Sequence, residues 1–367
     1  MTKHLKTSTS SDSQSESGLK RKRPDDDRCL NLALVIFARN EEDNIGRFLV
    51  SLTTQTLFVR KNIEATVYVV ANGCTDQTAQ IARESASQAL HTRGIKSQIL
   101  DWATPGKSRS WNRVVHELLP TSVDYIIALD ADIQFVDANV LAAMFDCIRG
   151  NPKVEVVSGF PVKDITHKVR PTLVDRFSMS ISGRTRHSGA INGSLYLATA
   201  ARLREIWLPD DTPGEDGFLN AMATTRGFSR PEQHDVVLQM SEPTHYFESH
   251  SPVNFFVHET RMIVGTMINR WIFEYLHSLK LADPAGPMID RLNREEPDWV
   301  EKIIAERSAG KWLIPRALLF RRLTPKQGLT ASYLIRLPIL ALATALTLPP
   351  AIMANKALKK RGASSIW

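Results

Sequence analysis

The chain has 367 residues, 43% hydrophobic and 23% charged, which is globular composition with enough apolar sequence for a large buried core. Its net charge of +7 is unevenly spread: from Glu301 onward 12 Lys/Arg face 2 acids, so that tail carries +10 and residues 1–300 carry −3. A basic face over the whole body is therefore excluded, and with no aromatic-and-basic recognition pattern there is no case for nucleic acid as a partner.

Three cysteines, Cys29, Cys74 and Cys147, lie far apart, in neither a zinc spacing nor a disulfide framework, which suits a reducing compartment. Residues 1–29 are polar and Ser-rich, with a basic run at Lys20–Arg23 and an acidic one at Asp25–Asp27. They lack a signal-peptide core and are expected to form a disordered tail. Leu30 to Ala38 is a near-continuous apolar run, the signature of a strand inside a parallel sheet. Arg39-Asn40-Glu41-Glu42 follows, then a helical pattern through Ile45, Phe48, Leu49 and Leu52 that Asn40 is placed to cap. A second strand, Ala65 to Ala71, leads into Asn72-Gly73-Cys74-Thr75-Asp76, where Thr75 or Asp76 caps another helix. A third strand around Ile99 ends near Pro105, and Gly106-Lys107-Ser108 opens a helix carrying Trp111, Val114, Val115 and Leu118.

The fourth strand, from Tyr125, runs into Asp130 and Asp132, and alternation in an extended chain turns both carboxylates to one side. Two hard oxygen donors at a strand's carboxyl end suit Mg²⁺ or Mn²⁺, with a substrate's phosphates completing the shell; a strand running into an Asp-rich turn is the plain alternative. Val154 to Ser158 and Asn192 to Thr199 read as further strands, Pro209 to Asp216 as a loop, and Gly217 to Thr225 as a helix. Strand and helix alternate at βαβ spacing, which predicts an α/β, Rossmann-like fold with a mostly parallel sheet and helices on both faces. Polar segments at four strand ends (ARNEE, ANGCTD, PGKS, DAD) place a nucleotide-sized site at one sheet edge.

Gly106-Lys107-Ser108 sits at a helix N-terminus, a natural place for an anion, although a solvent-facing loop lysine fits the same letters. It is not a P-loop, because Asp101 stands where the first glycine is required, and no G-x-G-x-x-G follows the first strand. Glu215-Asp216 form a second acidic centre, suited either to the first turn of a helix or to taking a proton from an acceptor hydroxyl.

In chain order VIFARNEEDNI, VVANGCTDQTAQIA, GKSRSWN, LDADIQF, INGSLYLA and GEDGFLNAMATTRGF resemble family 2 inverting glycosyltransferases of the GT-A fold, over residues 31–230. The resemblance implies a divalent cation, Mg²⁺ or Mn²⁺, held by Asp130 and Asp132 in a DXD-type motif. It also implies a nucleotide-sugar donor near Ala38, Arg39, Glu41, Asn72, Lys107, Asn112 and Asp130, and catalysis by Asp216 with Glu215 beside it. The family's second-strand aspartate pair is replaced by Ala71 and Asn72, which leaves the base preference open, and Met267 replaces the glutamine of the processive Q-x-x-R-W motif, which points to a non-processive enzyme. His258 as a further metal ligand and Arg261 as a phosphate clamp are the corresponding expectations for the VHETRMIVG segment; a partly buried helix histidine is the competing reading. A catalytically silent GT-A-like membrane scaffold and a nucleotidyltransferase or P-loop-like nucleotide-binding protein are the alternative functions.

The domain expectation is a tail over 1–29, a GT-A catalytic domain over 30–250 and a helical, basic and apolar extension over 251–367. Within the extension, 337–355 is uncharged, long enough to reach a bilayer span, interrupted by Pro338, Pro349 and Pro350, and flanked by cations on both sides. A spanning, re-entrant or interfacial segment fits, as does a packed helix; membrane contact would place the enzyme at a cytoplasmic membrane face and favour a glycan, lipid-linked or small-molecule acceptor.

Overall fold

The structure is a computed structural model, and it describes residues 28–163, 190–210, 212–247, 252–324 and 330–360. The expected tail, apart from Arg28 and Cys29, lies outside the described residues.

Apolar runs become the central strands, as their composition requires: β1 (Leu30–Ala38), β2 (Ile63–Asn72) and β4 (Tyr125–Asp130) are buried along most of their length. With β3 (Lys96–Trp102), β6 (Val156–Ser158), β8 (Leu195–Thr199) and β9 (Val237–Gln239) they form a seven-stranded sheet in the order β3-β2-β1-β4-β8-β6-β9. The first four strands are mutually parallel, in register Ala38 opposite Ala71 and Phe37 opposite Asp130. β8 runs antiparallel to both β4 and β6, so the sheet is mixed at this edge. A small second sheet, β5-β10-β7, joins β5 (Gln134–Phe135), β7 (Pro161–Lys163) and β10 (His245–Phe247).

Helices cover both faces: α1 (Ile45–Leu52), α2 (Thr78–Ser85), α3 (Lys107–Asn112, continued by a wider turn to Leu118), α4 (Val140–Gly150), α5 (Ala200–Arg204) and α6 (Glu215–Thr224). Leu34, Ile36 and Ile127 pack on one side with α1 and α4, while Val35, Ala128 and Tyr196 pack on the other with α3 and α6. The C-terminal part adds α7 (Pro252–Ser278), α8 (Gly286–Glu295), α9 (Trp299–Arg307), α10 (Arg316–Leu319), α11 (Ala331–Leu346) and α12 (Leu348–Lys359). Val264, Ile268 and Ile272 of α7 and Ala351, Ala354 and Leu358 of α12 belong to the same core as Phe218, Leu219 and Met222 of α6.

Three local features differ from the expectation or sharpen it. Asn40 does not cap α1; its φ is +55° and its Oδ1 accepts from the Thr75 backbone N–H at 2.8 Å, so it clips the loop after β1 to the loop after β2. The N-cap of the next helix is Gln77 and not Thr75 or Asp76; Asp76, one residue ahead of it, accepts on Oδ1 from the Thr78 N–H at 3.0 Å and from the Thr78 hydroxyl at 2.6 Å. The uncharged stretch 337–355 is divided between α11 and α12 with Thr347 at the junction in right-handed helical conformation, so the two continue one another.

Candidate active site

β1 pairs with β2 on one side and β4 on the other, so the chain's connections leave β1 in opposite directions and a crevice opens at the carboxyl ends of β1 and β4. Ala38 closes β1, buried, with the exposed Arg39 and half-buried Glu41 in the loop beyond it, and Asp130 closes β4. The loop after β2 comes close because Gly73 permits it. Its φ of +63° and a Cβ that would lie 2.7 Å from Pro105 leave room for glycine alone beside the third strand's exit.

At the centre of the crevice Lys107, at the start of α3, donates from Nζ to Asp130 Oδ1 at 2.7 Å and lies 2.8 Å from Glu215 Oε1 and 3.4 Å from the Gly193 carbonyl. Four chain segments thus meet on one ammonium. Burial opposes the charge on Lys107, yet the Asp130 and Glu215 carboxylates outweigh it and raise its pKa well above the usual lysine range. Burial likewise works against the Glu215 carboxylate, but Lys107 overcomes it and holds that pKa below normal. Next in the chain, Asp216 has no such partner among the described residues. Burial and the neighbouring Glu215 charge raise its pKa, while its Oδ1 accepts from the Gly217 N–H at 2.7 Å. Two adjacent carboxyls are therefore split into one held ionised by a lysine and one made more basic. The 192–194 turn is pressed against this pair: a Cβ on Gly193 would meet Asp216 Cβ at 3.1 Å and Glu215 Oε1 at 3.3 Å.

Asp130 is pushed up to about 6 by burial and by Asp132, against the pull of Lys107. Glu41 also rises to about 6, through burial first and then the charges of Asp132, Asp130 and Asp76, opposed by its hydrogen bond from Asn44. Carboxylates crowded together in this way create a potential that a cation relieves. Asp132 is exposed and makes no hydrogen bond or ion pair among the described residues. Among those residues no group of three or more His, Cys, Asp or Glu is arranged around one point. A pair of carboxylate donors with open positions fits a hard divalent ion whose remaining ligands are phosphate oxygens and water.

Other expected site residues are placed as follows. Asn72 ends β2, buried, and its Oδ1 accepts from the Ser110 hydroxyl at 2.9 Å. Asn112 is buried, and its amide hydrogens go to the Leu208 carbonyl at 2.7 Å and Asp210 Oδ1 at 2.9 Å, while its oxygen accepts from the Leu208 N–H. It pins the loop leading to Glu215. Arg261 on α7 comes within electrostatic reach of Glu215 and Arg39, and burial lowers its pKa. His258 is half-buried one turn earlier on the same helix, and it does not join Asp130 and Asp132 in a three-ligand group.

The sequence reading gave no role to the Gly193 carbonyl or to the polar chain behind it. Ser194 accepts the Asp130 N–H on its carbonyl at 3.0 Å, and its hydroxyl lies 2.7 Å from Nε2 of the fully buried His245. His245 Nδ1 lies 2.8 Å from the Thr244 hydroxyl, and burial lowers its pKa to about 4. Asn192-Gly193-Ser194, expected as the start of a strand, instead forms the turn ahead of β8, and what the Gly193 carbonyl faces depends on β8 running antiparallel beside β4.

α7 holds the second acidic centre from outside. Gly265 lets that helix approach the loop, since a Cβ there would lie 2.9 Å from the Pro213 carbonyl oxygen, and Asn269 Nδ2 donates to the Gly214 carbonyl at 2.8 Å. Glu215 and Asp216 then open α6.

Residues 33–207 match the model of the family described as glycosyl transferase family 2. The matched segment carries the carboxyl ends of β1 and β4 that form the crevice just described, and over it the chain is similar to family 2 glycosyltransferases. Among solved structures, the chain is similar to glucosyl-3-phosphoglycerate synthase from Mycobacterium tuberculosis in complex with Mn²⁺, UDP-glucose and phosphoglyceric acid, at 16% identity over 65% of this chain and 79% of that one, with a TM-score of 0.45. The same enzyme with Mg²⁺ and UDP is similar at 15% identity over 65% and 79% of the two chains, TM-score 0.43, and a mycobacterial protein at 15% over 65% and 74%, TM-score 0.44. No curated protein matches the chain in a sequence comparison.

Proposed function

We propose that the enzyme transfers a sugar from a nucleotide-sugar donor to an acceptor hydroxyl with inversion at the anomeric carbon, assisted by a divalent cation, without processive elongation. The observation that carries this reading is Lys107, which joins Asp130 to Glu215 and so sets the leaving-group side of the site against Asp216. In this reading Asp130 and Asp132 hold Mn²⁺ or Mg²⁺, which when bound supplies positive charge to the donor's diphosphate. The protein's own part is as follows. Lys107 and Arg261 offer positive charge to the diphosphate from the protein side. Arg39, Glu41 and Asn72 border the nucleoside end. Asp216, made more basic by burial and by Glu215, takes the hydroxyl proton as the acceptor oxygen bonds to the anomeric carbon and the bond to the diphosphate oxygen breaks. Glu215 stays ionised on Lys107 and keeps the proton acceptor beside it from losing its basicity.

The acceptor class in this proposal is a glycan, lipid-linked or small-molecule hydroxyl. The test is a thermal-shift screen of nucleoside diphosphates and nucleotide sugars with and without Mn²⁺, on the wild type and on Asp132→Ala. Ligand at a hundredfold over Kd stabilises a folded state by about 2.7 kcal/mol. The expected result is Mn²⁺-dependent stabilisation of the wild type that Asp132→Ala loses. If no nucleotide stabilises the wild type at saturating concentration, the site is not a donor site and the catalytically silent scaffold is the better reading.

A further inference from the structure

α11 and α12 form one nearly continuous helix, largely exposed on all sides from Leu334 to Leu342 and, from Ala343 onward, buried on one side and exposed on the other. From Tyr333 to Lys359 it is 27 residues of high mean hydropathy, 1.8, with 33% of its most apolar window buried. At about 100° per residue, Ala343, Thr347, Ala351, Ala354 and Leu358 fall on one side, and all are buried against the body. Ile335, Leu342, Ile352 and Met353 fall opposite, within an arc of about 100°, and are 79%, 53%, 47% and 47% exposed. The buried side is fastened by hydrogen bonds. Asn355 Oδ1 accepts from the Leu313 N–H at 2.8 Å, Lys359 Nζ donates to the Lys311 carbonyl at 2.6 Å, and Thr260 of α7 donates to the Pro350 carbonyl at 3.5 Å. A helix so attached along one flank cannot cross a bilayer. The stretch before its first buried contacts, residues 333–342, is about 15 Å long, half of a hydrocarbon core of about 30 Å.

The charge around the stripe names its partner. Residues 307–367 contain 11 Lys/Arg and no Asp or Glu, and Lys356 is exposed at the stripe's own end. A long apolar stripe facing away from the body, set in an acid-free basic segment, matches a bilayer with anionic headgroups.

We propose that this helix is an in-plane anchor: its Ile335–Met353 stripe enters one leaflet of an anionic membrane while the opposite flank stays packed on the catalytic body. The proposal is independent of the sugar-transfer reading and can fail or succeed without it.

The full chain is mixed with preformed vesicles of phosphatidylcholine alone or with phosphatidylglycerol, and bound protein is measured by sedimentation as salt is raised. The expected result is binding to the anionic vesicles that weakens with salt and is released by alkaline extraction. Ile335→Glu with Leu342→Glu should reduce partitioning by at least about tenfold, and Lys356→Glu should reduce it on anionic vesicles alone. Met353→Glu provides a second probe of the stripe, and unchanged melting temperatures show that these exposed sites are not needed for folding. Absence of vesicle binding overturns the proposal, and if the wild type is then a dimer that the double variant makes monomeric, a second copy covers the stripe. Resistance to alkaline extraction overturns it in favour of a spanning helix.

Discussion

Replacing Lys107 by Met removes one charge from a site where two carboxylates depend on it. In the wild type Lys107 lies 2.7 Å from Asp130 and 2.8 Å from Glu215, with only 28% of its side chain exposed. Breaking a buried pair by removing one partner costs about 3–5 kcal/mol, and the residual exposure here places the expected loss near the lower figure. The loss should depend on pH, with a definite sign. Asp130 already titrates at about 6 in the folded protein, above the value of about 3.9 for an unfolded aspartate, and losing the opposing Lys107 charge moves it higher. A carboxyl raised on folding contributes stability that is fully present below about 3.9 and is lost as pH rises through the folded pKa. Lys107→Met should therefore be most destabilised near pH 8 and least near pH 5, as measured by urea unfolding at both values. Saturating Mn²⁺ should recover more stability in the variant than in the wild type, because the ion restores charge beside Asp130. A deficit that is equal at both pH values, or no deficit at all, would refute the coupling of the three groups through Lys107.

Asp216→Asn should lower kcat by about 10²–10⁴ while leaving donor affinity near the wild-type value, measured by transfer assays beside nucleotide titration. In the wild type the rate should rise with pH through a midpoint above the ordinary aspartate range, because the proton acceptor must be ionised and its pKa is raised by burial and Glu215. A flat profile there would remove Asp216 from the proton-accepting role. Gly73→Ala places a Cβ at 2.7 Å from Pro105 on a backbone with φ of +63°, and should cost about 1–3 kcal/mol in urea unfolding together with weaker nucleotide binding. Unchanged stability would mean that the loop after β2 relaxes without disturbing the crevice.

The parts of the fold legible in the sequence are those dictated by local composition. Leu30–Ala38 and Tyr125–Asp130 are buried on both faces, so they appear as apolar runs, and the polar residue that ends each run marks the sheet edge. The helix after the Pro/Gly loop was legible as well, but it begins at Glu215 and not at Gly217, so the two carboxylates lie in its first turn. Strand direction was not, because Leu195–Thr199 would be equally apolar pointing either way, and that direction sets where the Gly193 carbonyl falls. Nor does composition separate a polar residue facing a ligand from one facing the protein. Asn112 sits in the GKSRSWN motif expected at the donor, yet its amide is spent on Leu208 and Asp210. Asn40 reads as a helix cap until its positive φ and its bond to Thr75 show it clipping two loops together. The pairing of Lys107 with Glu215 joins residues more than 100 positions apart, and such distances are settled by topology.

α7 has a consequence for handling the protein. The same helix that presses Gly265 and Asn269 onto the loop ahead of Glu215 also supports α12 through Thr260, so the Glu215-Asp216 pair and the C-terminal apolar helix rest on one beam. Trimming the chain before Leu348 to improve solubility would strip that beam of Ala351, Ala354 and Leu358 and expose a new apolar surface. A shortened form would trade one sticky face for another and unsettle the mounting of Asp216, so point charges on the outer stripe are the sounder route to a soluble, active enzyme.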